Sequence, residues 1–352
     1  MGRRVELVSV VIPTYNAAKW IVETIDNLIG QTYSQFELIV VDDGSQDDTV
    51  SVVREILRKS FKNGFQILEL GSNKGPSAAR NIGLKAANGS WVQFLDSDDL
   101  IAPNKFERQM AYCASAPSDV AAVYSPWRRC YLDEGRITWE GPLVKPDMVR
   151  KEPIMCLAAA CRPLHSAGLA RRKVLESIGG FDESLRFWEC EEINVRIAKA
   201  GRLEPVHSDD PLYIWRLHRD KAYLGGDGAR YRSVDVALAW IEQVLKETGH
   251  RLFDEIKLPP ADRKHLLDDC TLWARLLYYH DRQAFAEFLK LARKLNPNIA
   301  PTYPRYVSFA SRGIGYEKAE AVAKLGRMPK TYARKALQSL KLRPKTSFFD
   351  WN

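Results

Sequence analysis

Phe36-Glu37-Leu38-Ile39-Val40-Val41-Asp42-Asp43-Gly44-Ser45 is the stretch that decides the architecture of this chain. Its apolar run is short and rich in β-branched residues, and it stops at paired carboxylates and turn formers, which reads as a buried strand ending in a loop. Upstream, Leu7-Val8-Ser9-Val10-Val11-Ile12 is a second such run, closed by Pro13. Between the two, residues 18–30 carry Trp20, Ile21, Thr24, Ile25 and Leu28 at helical spacing. Downstream, Asp47 or Asp48 caps a helix with Val50, Val53, Ile56 and Leu57 on one face. A strand over 65–70, a helix over 75–88 and a strand over 91–95 follow, and the last runs into Asp96-Ser97-Asp98-Asp99. This alternation predicts an α/β fold with a mostly parallel sheet covered by helices. In such sheets the ligand lies beyond the carboxyl ends of the strands. Two of those ends carry acidic clusters, whose hard oxygen ligands suit a divalent cation, Mn or Mg.

Residues 100–135 add a helix and a strand over 120–124. Residues 136–165 read as irregular, with Pro142, Pro146, Pro153 and Pro163, a candidate substrate loop. Short helices over 172–178 and 188–200 are stopped by Gly179-Gly180 and Gly201. After Gly225 the pattern becomes helical, over 229–248, 262–279 and 283–295, with basic helices expected over 316–326 and 331–340. Two domains are therefore expected: 1–224, α/β, and 225–352, all-helical and basic.

The chain has 352 residues, of which 45% are apolar and 27% charged, ordinary values for a globular protein. Its six cysteines form no C-x-x-C pair, which suits idle thiols in a reducing compartment. Neither a signal-peptide core nor an apolar run of membrane-spanning length is present, so a cytoplasmic protein is expected, with peripheral attachment at the inner membrane face as an option. The formal net charge is +8, yet residues 302–347 alone hold eleven Lys and Arg against Glu317 and Glu320, a net +9. The excess thus belongs to one segment, which suits peripheral contact with an anionic membrane. With no nucleic-acid-binding module in the sequence, nucleic acid is not an expected partner.

The order of motifs resembles the family 2 glycosyltransferases of the GT-A fold. The matching pieces are Val-Val-Ile-Pro-Thr-Tyr-Asn (10–16), Gln-Thr-Tyr (31–33), Glu-Leu-Ile-Val-Val-Asp-Asp-Gly-Ser (37–45) and Asn-Lys-Gly-Pro-Ser-Ala-Ala-Arg-Asn-x-Gly (73–83). Phe-Leu-Asp-Ser-Asp-Asp (94–99), Gly-Gly-Phe-Asp-Glu (179–183) and Tyr-x-x-Arg-x-His (213–218) complete the set. Together they cover roughly residues 6–220.

The resemblance implies a Rossmann-like GT-A domain and a metal-dependent, inverting transfer from a nucleotide-sugar donor, UDP-linked in the family's commonest case, to a saccharide or lipid-linked saccharide. Pro13, Thr14 and Tyr15 would lie against the base, Asp43 would accept a hydrogen bond from base or ribose, and Arg80 would sit near the nucleotide. Asp96-Ser97-Asp98 matches the D-x-D motif, in which Asp96 faces ribose or sugar and Asp98 holds the metal with His218. The family's base is the Asp of a Glu-Asp pair at a helix start; here the pair reads Glu189-Cys190. A neighbouring carboxylate, Glu191 with Glu189 in reserve, is one replacement. The alternative is a catalytically impaired nucleotide-binding or scaffold protein on the same fold. His165 reads either as a substrate contact or as a polar edge residue, and Trp127, Trp139 and Trp188 either as sugar-stacking rings or as core.

Overall fold

The computed structural model describes residues 6–133, 135–145, 153–157, 165–185, 188–218, 228–251, 255, 258–280, 282–297 and 299. The expected helices over 316–326 and 331–340, the basic segment 302–347, and Pro146 and Pro163 of the expected loop lie outside the described residues. The chain divides into two compact units, Met1–Tyr231 and Arg232–Asn352.

The first unit is built on a seven-stranded sheet. Its strands are β1 (Val8–Thr14), β2 (Phe36–Asp42), β3 (Phe65–Glu69), β4 (Trp91–Phe94), β6 (Val120–Tyr124), β9 (Gly168–Arg171) and β10 (Arg202–Pro205). Their spatial order is β10-β6-β9-β4-β1-β2-β3. All neighbours run parallel except β9, which lies antiparallel between β4 and β6. Every residue of β1 is buried, as expected of a central strand with both faces covered. One face packs with α1 (Ile21–Ile29), α2 (Thr49–Ser60) and α4 (Lys105–Cys113), through Ile25, Leu28, Val53, Leu57, Phe106 and Met110. On the other lie α3 (Pro76–Ala86), α5 (Arg172–Ser177) and α6 (Glu189–Ala200), through Ala79, Leu84, Leu175, Ile193 and Ile197.

Gly83 and Gly180 mark close approaches. A Cβ on Gly83 would stand 2.2 Å from Val11 Cγ1, so α3 lies directly on β1. Gly180 has φ +71, and a Cβ there would meet Asn81 Oδ1 at 2.4 Å. Asn81 clasps this turn to α3: Phe181 N–H donates to Asn81 Oδ1 at 2.7 Å, and Asn81 Nδ2 donates to Phe181 O at 2.9 Å.

A second sheet, of four strands in the order β5-β11-β7-β8, consists of β5 (Leu100–Ile101), β7 (Trp127–Asp133), β8 (Arg136–Val144) and β11 (Tyr213–Leu217). Part of the segment expected to be irregular is thus a strand. β8 pairs antiparallel with β7, is an edge strand, and is exposed over most of its length. Pro142 falls where its register shifts, between the pairs Arg129↔Glu140 and Trp127↔Val144, a place where an edge strand tolerates a missing N–H.

The second unit contains α8 (Pro260–His280) and α9 (Arg282–Leu295), and most of α7 (Gly228–Thr248). Trp240, Leu266, Cys270, Phe285 and Phe288 are buried. Among the described residues, no helix is long and apolar enough to cross a membrane.

Candidate active site

The carboxyl ends of β1, β2 and β4 open side by side, because β1 pairs with both other strands. Pro13 and Thr14 end β1 and are buried, whereas the next ring, Tyr15, is 47% exposed. Asn16 follows in a left-handed conformation, φ 49, and is pinned on both sides. Its N–H donates to Ser45 Oγ at 2.9 Å, and its Oδ1 accepts from Gln46 N–H at 2.9 Å. The loop presenting Tyr15 is therefore rigid.

Five carboxylates gather after β2 and β4, and three of them hold the structure itself. Asp42 accepts from Thr14 Oγ1 at 3.2 Å and from Ser45 N–H at 2.9 Å. Asp43 accepts from the amides of Lys74 and Gly75 at 2.7 and 2.8 Å, fixing the approach to α3, and each oxygen keeps a second lone pair. Asp99 accepts from Arg216 N–H at 2.8 Å and from the Tyr213 hydroxyl. Burial, followed by the charges of Asp98 and Asp96, pushes its carboxyl well above the usual range. Three of the five carboxylates that pointed to a cation are thus accounted for by bonds to the protein.

The remaining pair, Asp96 and Asp98, faces opposite partners. Arg80 is 4% exposed, and its Nη2 lies 2.7 Å from Asp96 Oδ1. Burial alone would raise the Asp96 carboxyl, but the Arg80 charge, with help from His165, holds it well below the ordinary range. Asp98 Oδ2 stands 2.8 Å from His218 Nε2. That contact spans the two sheets: β5 begins two residues after Asp98 and pairs antiparallel with β11, whose end delivers His218. Ser97 is anchored through its carbonyl, which accepts from Thr24 Oγ1 at 3.0 Å. Trp20 lies beside His218 with ring centroids 4.5 Å apart.

The head of α6 closes the other side. Trp188, expected as a stacking ring, is its N-cap with φ 64. Glu189 Oε1 lies 3.6 Å from Arg80 Nη1 and accepts from the Cys190 thiol at 3.6 Å. Burial, then the Glu189 charge, pushes that thiol well above its ordinary value. Glu191 is nearly buried, and its charge also bears on Cys190. Glu192 is paired with Arg196, Oε1 to Nε at 2.7 Å. Of the two carboxylates expected here, the structure brings Glu189 to the Arg80–Asp96 pair. It also brings in His165, whose Nε2 lies 3.5 Å from Asp96 Oδ1 and 4.0 Å from Cys190 Sγ. His165, read in the sequence as a substrate contact or a polar edge residue, thus reaches the site through tertiary contacts.

Behind His165 lies a wholly buried lysine. Lys105 Nζ donates to Gln109 Oε1 at 2.7 Å and to Gln93 Oε1. The two amides in turn hold the turn His165–Ala167: Gln93 Nε2 donates to Ser166 O at 2.8 Å and Gln109 Nε2 to Ala167 O at 3.1 Å. Burial drives the Lys105 amine well below its usual pKa.

Asp98 and His218 are the residues suited to a divalent cation. Among the described residues no group of three or more ligand side chains converges. One carboxylate and one imidazole fit a metal whose other ligands are diphosphate oxygens and water.

An open, mostly parallel sheet with this crevice, braced by a second small sheet, is a GT-A fold. S. aureus TarS 1–349 in complex with UDP-GlcNAc matches it with a TM-score of 0.55 at 20% identity, over 91% of this chain and 92% of that one. The Pyrobaculum calidifontis mannosyltransferase PcManGT, in complex with GDP-Man and Mn2+, matches with a TM-score of 0.55 at 21% identity, over 90% and 86%. In sequence, the Glycosyl transferase family 2 model matches residues 9–176. The uncharacterized glycosyltransferase YibD of Escherichia coli K12 is 32% identical over 272 residues, 72% of this chain and 74% of YibD. The chain belongs to glycosyltransferase family 2. Some relatives are matched over less than half their length: an uncharacterized glycosyltransferase of Haemophilus influenzae is 40% identical over 106 residues, 42% of that protein.

Proposed function

We propose that this protein transfers a sugar, with inversion, from a nucleoside diphosphate sugar, UDP-linked in the first instance, to a saccharide or lipid-linked saccharide in cell-surface glycan synthesis. The observation that carries the reading is the meeting of Asp98 and His218 across the two sheets, beside the Arg80–Asp96 pair at the strand ends. Tyr15 stacks on the base, and Asp43 uses its second lone pairs for base or ribose. Asp96, held by Arg80, orients ribose or sugar next to Ser97. Asp98 and His218 hold Mn or Mg, which when bound stabilises the charge growing on the leaving diphosphate. The acceptor hydroxyl enters on the side of α6 and gives up its proton there, where Glu189 and Glu191 flank Cys190. Displacement of the nucleoside diphosphate passes through an oxocarbenium-like state, as glycoside hydrolysis does.

A second reading, a nucleotide-binding protein without turnover, is favoured by one observation: a thiol held in its neutral form stands where a carboxylate base is expected. Incubation with UDP-glucose, UDP-galactose, UDP-N-acetylglucosamine and GDP-mannose in Mn2+ separates the two, with Asp98→Asn as blank. Donor hydrolysis above the blank supports transfer. Calorimetric UDP binding with no turnover of any donor supports the second reading, and the absence of both sinks the pair. The basic segment 302–347 is proposed to hold the protein at an anionic membrane surface, on the cytoplasmic face.

A further inference from the structure

We propose that His165 is the catalytic base of the transfer, taking the role that Cys190 leaves open. The inference rests on the transferase reading and names the atom that receives the acceptor's proton. Three observations support it.

First, the groups expected to act are engaged. The Cys190 thiol donates to Glu189 and carries no negative charge to attract a proton. Glu189 is shared between that thiol and the Arg80 guanidinium, 3.6 Å from each. Glu191 is buried and its charge bears on Cys190.

Second, His165 Nε2 faces the reaction centre. It lies 3.5 Å from Asp96 Oδ1, 4.0 Å from Cys190 Sγ and 3.2 Å from Ser166 Oγ. A carboxylate at position 190 would reach about one C–O bond past the sulfur, so Nε2 borders the space that such a base would fill. Asp96 lies on the same side of the ring as Nε2, so its carboxylate stands beside the atom that takes the proton. The charged and titratable groups around the ring are Asp96, Arg80 through Asp96, and Cys190 with Glu189. Phe181 packs on it edge-to-face with centroids 6.3 Å apart.

Third, the backbone that carries the ring is pre-set. The Lys105–Gln93–Gln109 cluster holds the carbonyls of Ser166 and Ala167, so the turn carrying His165 is fixed from inside the protein. Such positioning by rigid elements is what general-base catalysis requires.

In the step itself, the acceptor O–H bond breaks and its electron pair forms the new bond to the sugar C1. The C1–O bond of the donor breaks, its pair leaving on the nucleoside diphosphate, and the proton moves to His165 Nε2.

The test uses the full chain, Mn2+ and the four-donor panel, with hydrolysis as readout and UDP binding by calorimetry as the fold control. His165→Gln should lower hydrolysis about 10²–10⁴-fold with UDP affinity within about threefold of the parent. Activity should return at least about tenfold when Cys190→Asp is added to His165→Gln, or when imidazole is added to His165→Ala. Retention of hydrolysis within about threefold in His165→Gln overturns the proposal while leaving the transferase reading intact. A loss that neither rescue repairs, or that removes UDP binding in both variants, assigns His165 a structural role and also overturns it. If the parent binds UDP but hydrolyses no donor, the transferase reading and this inference fall together.

Discussion

On the proposed function, Asp98 and Tyr15 are the single residues on which the donor site depends most. On the proposed reading Asp98→Asn removes one of two protein ligands for the cation, and should lower donor hydrolysis at least about 100-fold while moving the Mn2+ requirement to higher concentration, read by titrating Mn2+ against initial rate. Tyr15→Ala removes an exposed ring from a pinned loop, so UDP affinity should fall by about 1–3 kcal/mol in calorimetry with the melting temperature nearly unchanged. At this scale the motifs were legible but their division of labour was not. Asp42, Asp43 and Asp99 look in sequence like further metal-facing carboxylates, and they are backbone anchors in the fold. A run of aspartates declares charge, and only the positions of nearby amides decide which oxygens remain for a ligand. His165 read in sequence either as a substrate contact or as a polar edge residue, and only its contact with Asp96 places it, whereas a lone Lys105 on an amphipathic helix carries no signal of burial.

At the scale of elements, the family motifs turn out to be joints as much as ligands. Gly83 in Arg-Asn-x-Gly lets α3 lie against Val11, so Gly83→Ala should destabilise the fold by about 1–3 kcal/mol, measured by urea denaturation. Glu37 fastens β2 to β1 and to the turn before β4: its carboxylate accepts from Ser9 Oγ at 2.6 Å and from Asn88 N–H at 2.7 Å. Burial works against the ionised form, yet these donors prevail and hold the carboxyl below its ordinary value. A depressed folded value gives stability that is present above the unfolded value, about 4.3, and is lost as the pH falls through the folded one. Glu37→Gln should accordingly flatten the acid limb of the melting temperature plotted against pH. Helices were legible to within a few residues, because their apolar spacing is local. The strand β8 was not, because an exposed edge strand has no buried face to impose alternation, and its Pro142 reads as a breaker.

For the molecule as a whole, the excess charge belongs to one stretch of chain. If residues 302–347 meet an anionic surface, replacing six of their eleven Lys and Arg by Gln should weaken sedimentation with phosphatidylserine vesicles, at up to about 1 kcal/mol per charge removed. Salt should weaken the parent's binding in the same way, and donor hydrolysis in solution should be unaffected. The α/β order and the mostly parallel sheet followed from the alternation of strand and helix patterns. The antiparallel insertion of β9 did not, since a four-residue strand carries no directional signal in its composition.

The contact between Asp98 and His218 joins residues 120 apart in the chain. Biosynthesis runs from the amino terminus, so the strands bearing Tyr15, Asp43 and Asp96 are complete long before the histidine is made. A nascent chain could cradle a nucleoside early, but the pair that grips the metal diphosphate closes only after β11 has been synthesised and has paired with β5. On the proposed function, full affinity for a metal-bound donor is thereby delayed until the whole of the large sheet has been translated.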